Sequence, residues 1–391
     1  MDIVVAGGGI GGLTTALALH ARGMRVTVLE AVGQIKPLGV GINVQPGAIA
    51  ELTALGLGDA LNATGIRTRE HLYLDQAGAT LWTEARGLDA GHEHPQYSIH
   101  RGELQLLLLD AVRERLGPDA VRTGARVRSF EQTDDGVRVV SDVGEFEAAA
   151  LVGADGLHSA VRARLHPHQA RLSAAGTHMW RGLTEMPQGF LDGRTMMLAN
   201  DEQTTRLVAY PISARHAEQG TALVNWVCLV PAEVGPAGDV DWERPGRIDD
   251  VLPYYGHWDL GVLDIRAMLA GSREILYYPM VDRDPLATWG KGRVTLLGDA
   301  AHLMYPIGAN GASQAIVDAV TLAAELDKGD GVAAALARYE AVRRPVTTEV
   351  VLANRKMHND QRHVAGRSAG DKAAVLRAIT SAYRATVENR P

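Results

Sequence analysis

The chain has one cysteine, Cys228, in 391 residues. A lone thiol closes no internal disulfide, so a disulfide scaffold is excluded and a reducing, cytoplasmic setting is expected. Cys228 lies in the apolar run 223–230 and reads as a small buried hydrophobe. Basic residues are outnumbered: 39 Lys and Arg stand against 46 Asp and Glu, a net charge of −7. With no cationic excess to neutralise phosphates, nucleic acid is not an expected partner. No stretch of about 20 apolar residues occurs, so no membrane span is expected. The apolar stretch 3–19 has no basic segment before it and is loaded with glycine, unlike a secretory signal. Repeats and low-complexity linkers are missing too. His92, His94, His166 and His168 pair up in polar loops, a weak pattern for a ligand set, and no metal is expected.

What the chain does have is glycine at strand ends. Ile3 to Ala6 is a short apolar strand, followed by Gly7-x-Gly9-x-x-Gly12 with Ile10 and Gly11 inside it. A helix over 13–21 follows, closed by Gly23, and then a strand over 25–29 that delivers Glu30. Glycines at this spacing allow a tight turn, close backbone approach to a pyrophosphate and close helix–strand packing. The helix N-terminus then points free N–H groups and partial positive charge at the phosphates. Glu30 stands where an acid would hold a ribose 2′-OH, which favours FAD or NAD over NADP.

A second bend decides between these two. Arg293 to Leu297 is an apolar strand; Gly298, Asp299, Pro306, Gly308, Asn310 and Gly311 follow, and then a helix from about Ala312. Asp299 suits a polyol hydroxyl such as ribityl, the glycines admit a flat ring, and the helix N-terminus favours the negative charge of a reduced flavin. No second GxGxxG motif is visible, so a nicotinamide cofactor is expected to visit without a Rossmann site of its own.

Between the two bends the pattern alternates. A hairpin is expected over 71–83 with Gln76-Ala77-Gly78 as its turn, a helix over 102–116, a meander over 126–149 and a strand over 151–155. Strands dominate 177–278, with a helical patch at 247–255. The C-terminal part reads as helices over 312–326, 332–344, 346–358 and 371–387. The fold class expected is α/β: a Rossmann-like FAD-binding domain, an inserted, mainly antiparallel β-sheet substrate domain, and a C-terminal helical segment. The expected segments are 1–70, 99–170 and 286–330 for the FAD-binding domain, 71–98 and 171–285 for the substrate domain, and 331–391 for the helices.

Three stretches together resemble the fingerprints of single-component FAD-dependent aromatic hydroxylases: Gly7 to Gly12, Gly153-Ala154-Asp155-Gly156 through Arg162, and Gly298 to Gly311. Their order and spacing match, and the likeness covers nearly the whole chain. Pro37 to Asn43, His100 to Leu104 and Asp299 to Pro306 are similar to phenazine hydroxylases within that family. The resemblance implies an FAD domain of the GR2 type. Glu30 and Ala31 would lie at the adenosine ribose and Val127 at the adenine. Arg101 and Asp299 would lie near ribityl and phosphate oxygens, and Asp155 in a segment linked to FAD and to transient nicotinamide docking. Val40, Gly41, Pro306, Gly308, Ala309, Asn310, Gly311, Ala312 and Ser313 would border the flavin. Arg162 belongs to the segment linked to FAD and to transient nicotinamide docking; a domain-packing salt bridge is its alternative.

The resemblance also implies the chemistry. NADH or NADPH reduces FAD, O2 adds at flavin C4a, and the hydroperoxide passes one oxygen to an electron-rich ring, with loss of a carboxylate where the attacked carbon bears one. The chemistry belongs to the cofactor, so no catalytic side chain is named. Tyr305, Trp180, Arg181, Arg206, Tyr210 and Trp226 are the candidate walls of the ring pocket, with Arg181 or Arg206 available to a substrate carboxylate. A small aromatic substrate and a monomer or homodimer are expected. A flavin reductase, epoxidase or Baeyer–Villiger enzyme, an NAD-linked dehydrogenase and a non-catalytic binding protein stay open at this stage.

Overall fold

The computed structural model describes residues 1–168, 172–232, 245–364 and 369–387. Asp2–Ala6 is the middle strand of a five-stranded sheet in the order Val294–Leu296, Ala150–Gly153, Asp2–Ala6, Arg25–Leu29, Val121–Arg122. Every pairing in it is parallel. These strands are almost wholly apolar: the helix Ile10–His20 packs against them, as do the strands Val137–Ser141 and Gly144–Ala148. The glycine bends leave the same end of this sheet: the strand before Gly7 and the strand before Gly298 are separated only by Ala150–Gly153. The helices that follow, Ile10–His20 and Gly311–Asp327, pack against each other. A Cβ on Gly11 would lie 2.7 Å from Leu297 Cδ2 and 3.2 Å from Ala315 Cβ, so the close crossing requires glycine there.

A seven-stranded sheet stands beside this domain, in the order Ile275–Asp282, Ser173–Met186, Ala222–Pro231, Arg206–Pro211, Thr195–Asn200, Glu70–Asp75, Thr80–Ala85. Only the Thr195–Asn200 and Glu70–Asp75 pair is parallel; the other pairings are antiparallel. Gly41–Val44, Gln96–His100 and Ile66–Thr68 form a small sheet between the two larger ones, and Val127–Gln132, Val137–Ser141 and Gly144–Ala148 form the meander. The domain boundary expected at 170–171 lies outside the described residues.

Two helical expectations are corrected. Residues 332–344 and 346–358 are not two helices but one, Val332–Arg362, running through Pro345. Proline removes one hydrogen bond and crowds the preceding turn, but the buried stripe Tyr339, Arg343, Thr347, Val350 and Asn354 holds the helix together across it. The helices Pro46–Ala54, Gly58–Thr64 and Ile265–Ala270 were not anticipated. They are too short for a helical period to show.

Candidate active site

At the first bend, Gly7 has φ +105°, and a Cβ there would lie 2.3 Å from the Ala154 carbonyl oxygen. A Cβ on Gly12 would lie 2.0 Å from the Gly7 oxygen. Gly9 differs: its Cβ would meet nothing within 4 Å, because it faces open space at the N-terminus of Ile10–His20. That space is a cavity of about 270 Å³ bordered by Gly7, Gly9, Glu30, Ala31, Val127 and Asp155. The Glu30 carboxylate accepts from the N–H of Gly8 at 2.6 Å and of Val32 at 2.8 Å, which fixes it across one end. Bare glycine backbone, a helix N-terminus and a placed acid fit the pyrophosphate and adenosine ribose of a dinucleotide.

Asp155 borders the same cavity, but its carboxylate is engaged by Ser159 Oγ at 2.5 Å and by the N–H groups of Ala160 and Val161 at 2.8 and 3.2 Å. It caps its own helix, which leaves it little capacity for a direct cofactor bond. Arg162 Nη1 donates to the carbonyls of Ala300 and Ala301 at 2.6 and 3.3 Å, tying this segment to the second bend.

At the second bend, Gly298 has φ +61° and donates its N–H to Asp318 Oδ2 at 3.2 Å. Asp318 is fully buried and is also bonded by His302 Nε2 at 2.6 Å and Arg343 Nε at 2.7 Å. Burial pushes this carboxyl up, but the two partners outweigh it and hold the group below the usual carboxylate range. It is a strut beneath the turn. Asp299, the next residue after Gly298, opens into the cleft. Desolvation by the surrounding protein raises its carboxyl, partly offset by the charges of His302 and Arg101. Arg101 lies against Gly39, where a Cβ would be 3.1 Å from its Nε. Farther on, Gly308 and Ala309 have φ +69° and +57°. Asn310 caps Gly311–Asp327 without a side-chain cap bond, so the first N–H groups of that helix remain available, and Ser313 Oγ accepts from Gln45 N–H at 3.0 Å.

Asp299, Pro306 and Gly308 through Ala312 border a larger cavity of about 360 Å³, whose opposite wall is one face of the seven-stranded sheet. Met179, Arg181, Arg206 and Tyr210 project from that face, and Tyr305 closes the side next to the second bend. Trp180 and Trp226 do not belong to this wall, a correction to the expected pocket. Successive strand residues face opposite ways, so both tryptophans point into the core behind the sheet, with Trp226 fully buried. Arg181 is partly committed: its Nη2 donates to the Gly41 carbonyl at 2.7 Å, where Tyr210 Oη also donates at 3.0 Å, while its Nε has no partner among the described residues. Asn225 Oδ1 accepts the Gly41 N–H at 2.9 Å, so Gly41 is held on both sides, and Val40 beside it is buried.

Arg206 is a cation that borders the cavity. Its Nη1 is bonded to Gln361, and among the described residues no carboxylate lies within ion-pair distance. Burial, with Arg362 close by, pulls its pKa down to about 10. Five of the ten methionines, residues 179, 196, 280, 304 and 357, border the same space. Their soft thioethers suit the face and edge of an aromatic ring. Sequence reasoning missed His71, Tyr73 and Trp82 of the first hairpin and Thr380, Tyr383 and Arg384 of the C-terminal helix, all of which border the cavity. Strand alternation could have offered the hairpin residues; nothing in the sequence brings Ala369–Val387 across the chain to this place.

The FAD binding domain family matches residues 1–224 and 267–354. The chain belongs to this family, the FAD-dependent aromatic hydroxylases. It is 62% identical over 396 residues to the phenazine 1,6-dicarboxylic acid hydroxylase PhzS of Lysobacter antibioticus, spanning 99% of this chain and 97% of that protein. The 3-hydroxybenzoate 6-hydroxylase of Klebsiella oxytoca is 32% identical over 91% of this chain and 88% of its own length. Among solved structures, Klebsiella pneumoniae HpxO complexed with FAD and uric acid superimposes with a TM-score of 0.77 at 29% identity, covering 100% of this chain and 93% of that one. The chain is thus an FAD-dependent monooxygenase that consumes NAD(P)H and O2 and acts on a small aromatic substrate. No described helix is long and apolar enough to cross a membrane, and no group of three potential metal ligands occurs among the described residues.

Proposed function

We propose that the chain hydroxylates a phenazine carboxylate, with FAD laid from the first glycine bend to the second. Gly7, Gly9, Ile10, Gly11 and Gly12 would form the pyrophosphate cradle, Glu30 and Ala31 would meet the ribose, and Val127 the adenine. Arg101 and Asp299 would reach the ribityl chain, and Val40, Gly41, Pro306 and Gly308 through Ser313 would border the flavin ring. FAD, when bound, supplies the electron and oxygen transfer. The protein's part is to orient the ring, exclude water and place charge. Arg181 and Tyr210 hold Gly41 in position. The methionine-rich wall takes the face of a flat ring, and Tyr305 closes its side.

The observation that carries this reading is Arg206: a cation in an apolar, methionine-lined cavity with no carboxylate of the protein within ion-pair distance among the described residues. Burying a charge without a partner is costly, and an aromatic carboxylate would supply the missing one. The 62% identity to a phenazine dicarboxylic acid hydroxylase supports the choice of ring.

The test uses the purified FAD-loaded protein with NADH or NADPH. Phenazine-1-carboxylate or phenazine-1,6-dicarboxylate is expected to raise NAD(P)H oxidation and O2 uptake, with a hydroxylated phenazine as product. CO2 release separates decarboxylative hydroxylation from hydroxylation with the carboxylate retained. Oxidation that no phenazine carboxylate stimulates, or that yields only hydrogen peroxide, overturns the reading.

A further inference from the structure

The cavity wall formed by Glu70–Asp75 and Thr80–Ala85 carries a donor with no assigned use. His71 is 9% exposed, and its Nδ1 lies 3.2 Å from Arg86 Nε. An arginine Nε–H can only donate. His71 Nδ1 therefore accepts, and a neutral imidazole carries its proton on Nε2. Burial, with the charges of Arg86 and Arg384, holds the imidazole well below its ordinary pKa, so the neutral form is the one present at pH 7. Nε2–H is then a buried donor, and among the described residues no acceptor meets it. An unmet buried donor carries the full cost of its desolvation. At a cavity wall that cost is recovered when a ligand supplies the acceptor.

His71 also lies at a telling distance from Arg206. His71 pairs with Met196 and Arg206 with Asn200, on either side of the strand Thr195–Asn200. Both residues border the same cavity. At about 3.3 Å per residue along a strand and about 4.8 Å between strands, their Cα atoms stand roughly 16 Å apart. Side chains reaching inward from both ends leave between their tips the length of a fused ring system carrying a polar group at each end. Arg86 behind His71 brings positive charge to this end, while Glu84 bridges Arg86 and Arg384. Two other wall atoms lack a partner among the described residues: Gln96 Oε1, which accepts and does not compete for an anion, and Arg181 Nε, whose guanidinium is anchored at the Gly41 carbonyl away from the strand that carries His71.

We propose that His71 is the second seat of a two-ended substrate site: its Nε2–H takes one carboxylate of an aromatic dicarboxylate whose other carboxylate rests on Arg206. The proposal rests on the assignment of a phenazine carboxylate as substrate and narrows it to a ring acidic at both ends. A two-fold symmetric dicarboxylate fills both seats in either orientation.

The test is binding to the oxidised holoenzyme, followed by the flavin absorbance change, with phenazine-1,6-dicarboxylate and phenazine-1-carboxylate as probes. Wild type is expected to bind the dicarboxylate more tightly. His71→Leu is expected to weaken the dicarboxylate about tenfold to a hundredfold, the range for a hydrogen bond to a charged group. The monocarboxylate, held by Arg206, should change by less than about threefold on the same scale. His71→Gln returns an N–H at similar reach and should restore much of the preference. Retained FAD and an unchanged melting temperature identify folded variants, and the wild-type comparison of the two rings stands whatever the variants do. Equal affinity of wild type for both rings, or equal loss of both in His71→Leu, overturns the proposal while leaving the phenazine assignment intact. If neither ring binds wild type, that assignment falls and takes this proposal with it.

Discussion

The two faces of the seven-stranded sheet are built from the same strands and differ in what their side chains meet. On the back, Trp226 Nε1 donates to Ser272 Oγ at 2.7 Å and Thr184 Oγ1 at 3.2 Å, and Tyr255 Oη donates to the carbonyls of Arg206 and Leu229 at 2.8 and 3.1 Å. Those aromatic side chains have their polar atoms met within the protein. On the front, Arg206 lacks a counter-ion among the described residues and His71 Nε2 lacks an acceptor. Alternate residues of one strand thus serve stability and recognition separately, because the side-chain period of two separates them by face. A buried polar group satisfied within the protein holds the fold; one left unsatisfied beside a cavity awaits a ligand.

The sharpest way to break this division is Trp226→Ala. Removing a fully buried indole packed against Gly182 should cost about 3–5 kcal/mol and lower the melting temperature steeply. What remains folded should keep its preference among ring substrates. A change of ring preference without loss of stability would mean that the back face reaches the substrate.

Sequence reasoning reached the two glycine bends because their chemistry is local. Strand, glycine turn, helix and acid follow one another within about 30 residues, and each residue's role there depends on near neighbours. It failed on Trp180 and Trp226, since an aromatic residue in a strand carries no mark of which face it takes until the neighbouring sheet is known. It failed on Pro345 because a buried stripe elsewhere in the molecule overrides a local breaker. Tyr383 and Arg384 were out of reach: their place depends on how a C-terminal helix docks hundreds of residues from the strands it covers.

The second test is pH. His358 is 2% exposed and its Nε2 lies 3.0 Å from the Ala175 carbonyl, so Nε2 donates and Nδ1 has no partner among the described residues. Burial first, then the charge of Arg206, pulls its pKa down to about 4. Above the unfolded value of about 6.5 the ring is neutral in both states and the fold has its full stability. As pH falls from there toward 4, the unfolded chain binds a proton that the folded chain does not, and stability is lost by about 3 kcal/mol. Denaturant midpoints at pH 7 and pH 4.5 measure this, and His358→Gln should flatten that part of the dependence. An equal drop in the variant would assign the acid sensitivity to other groups.

Arg206→Gln probes the front face from the opposite direction to Trp226→Ala. Losing a buried cation that lacks a counter-ion should leave the melting temperature unchanged or raise it. Carboxylate-bearing rings should bind about tenfold to a hundredfold more weakly, the loss of a charged hydrogen bond of about 1.5–3 kcal/mol. Binding of unsubstituted phenazine should change little. A melting temperature that falls as far as in Trp226→Ala would place Arg206 among the groups that hold the fold and dissolve the contrast between the faces.

The smallest effect tests whether the C-terminal helix belongs to the recognition side. Tyr383 Oη accepts from Asn310 Nδ2, lies 2.7 Å from Asn354 Oδ1, and packs where a Cβ on Gly308 would stand. It therefore touches the bend that borders the flavin side of the cavity at two points. Tyr383→Phe keeps the ring and removes the hydroxyl, leaving Asn310 Nδ2 and Asn354 Oδ1 each short of a partner, at a cost of about 1 kcal/mol net. The bend over 307–311 should loosen more than the fold as a whole. A purely structural tyrosine would lower stability and leave turnover per folded molecule as it was. A positioning tyrosine should also shift the flavin absorbance and raise the fraction of NAD(P)H oxidised that ends in hydrogen peroxide, because a looser bend admits water to the reacting ring. An unchanged peroxide fraction beside a lower melting temperature would return Ala369–Val387 to the stabilising side of the comparison.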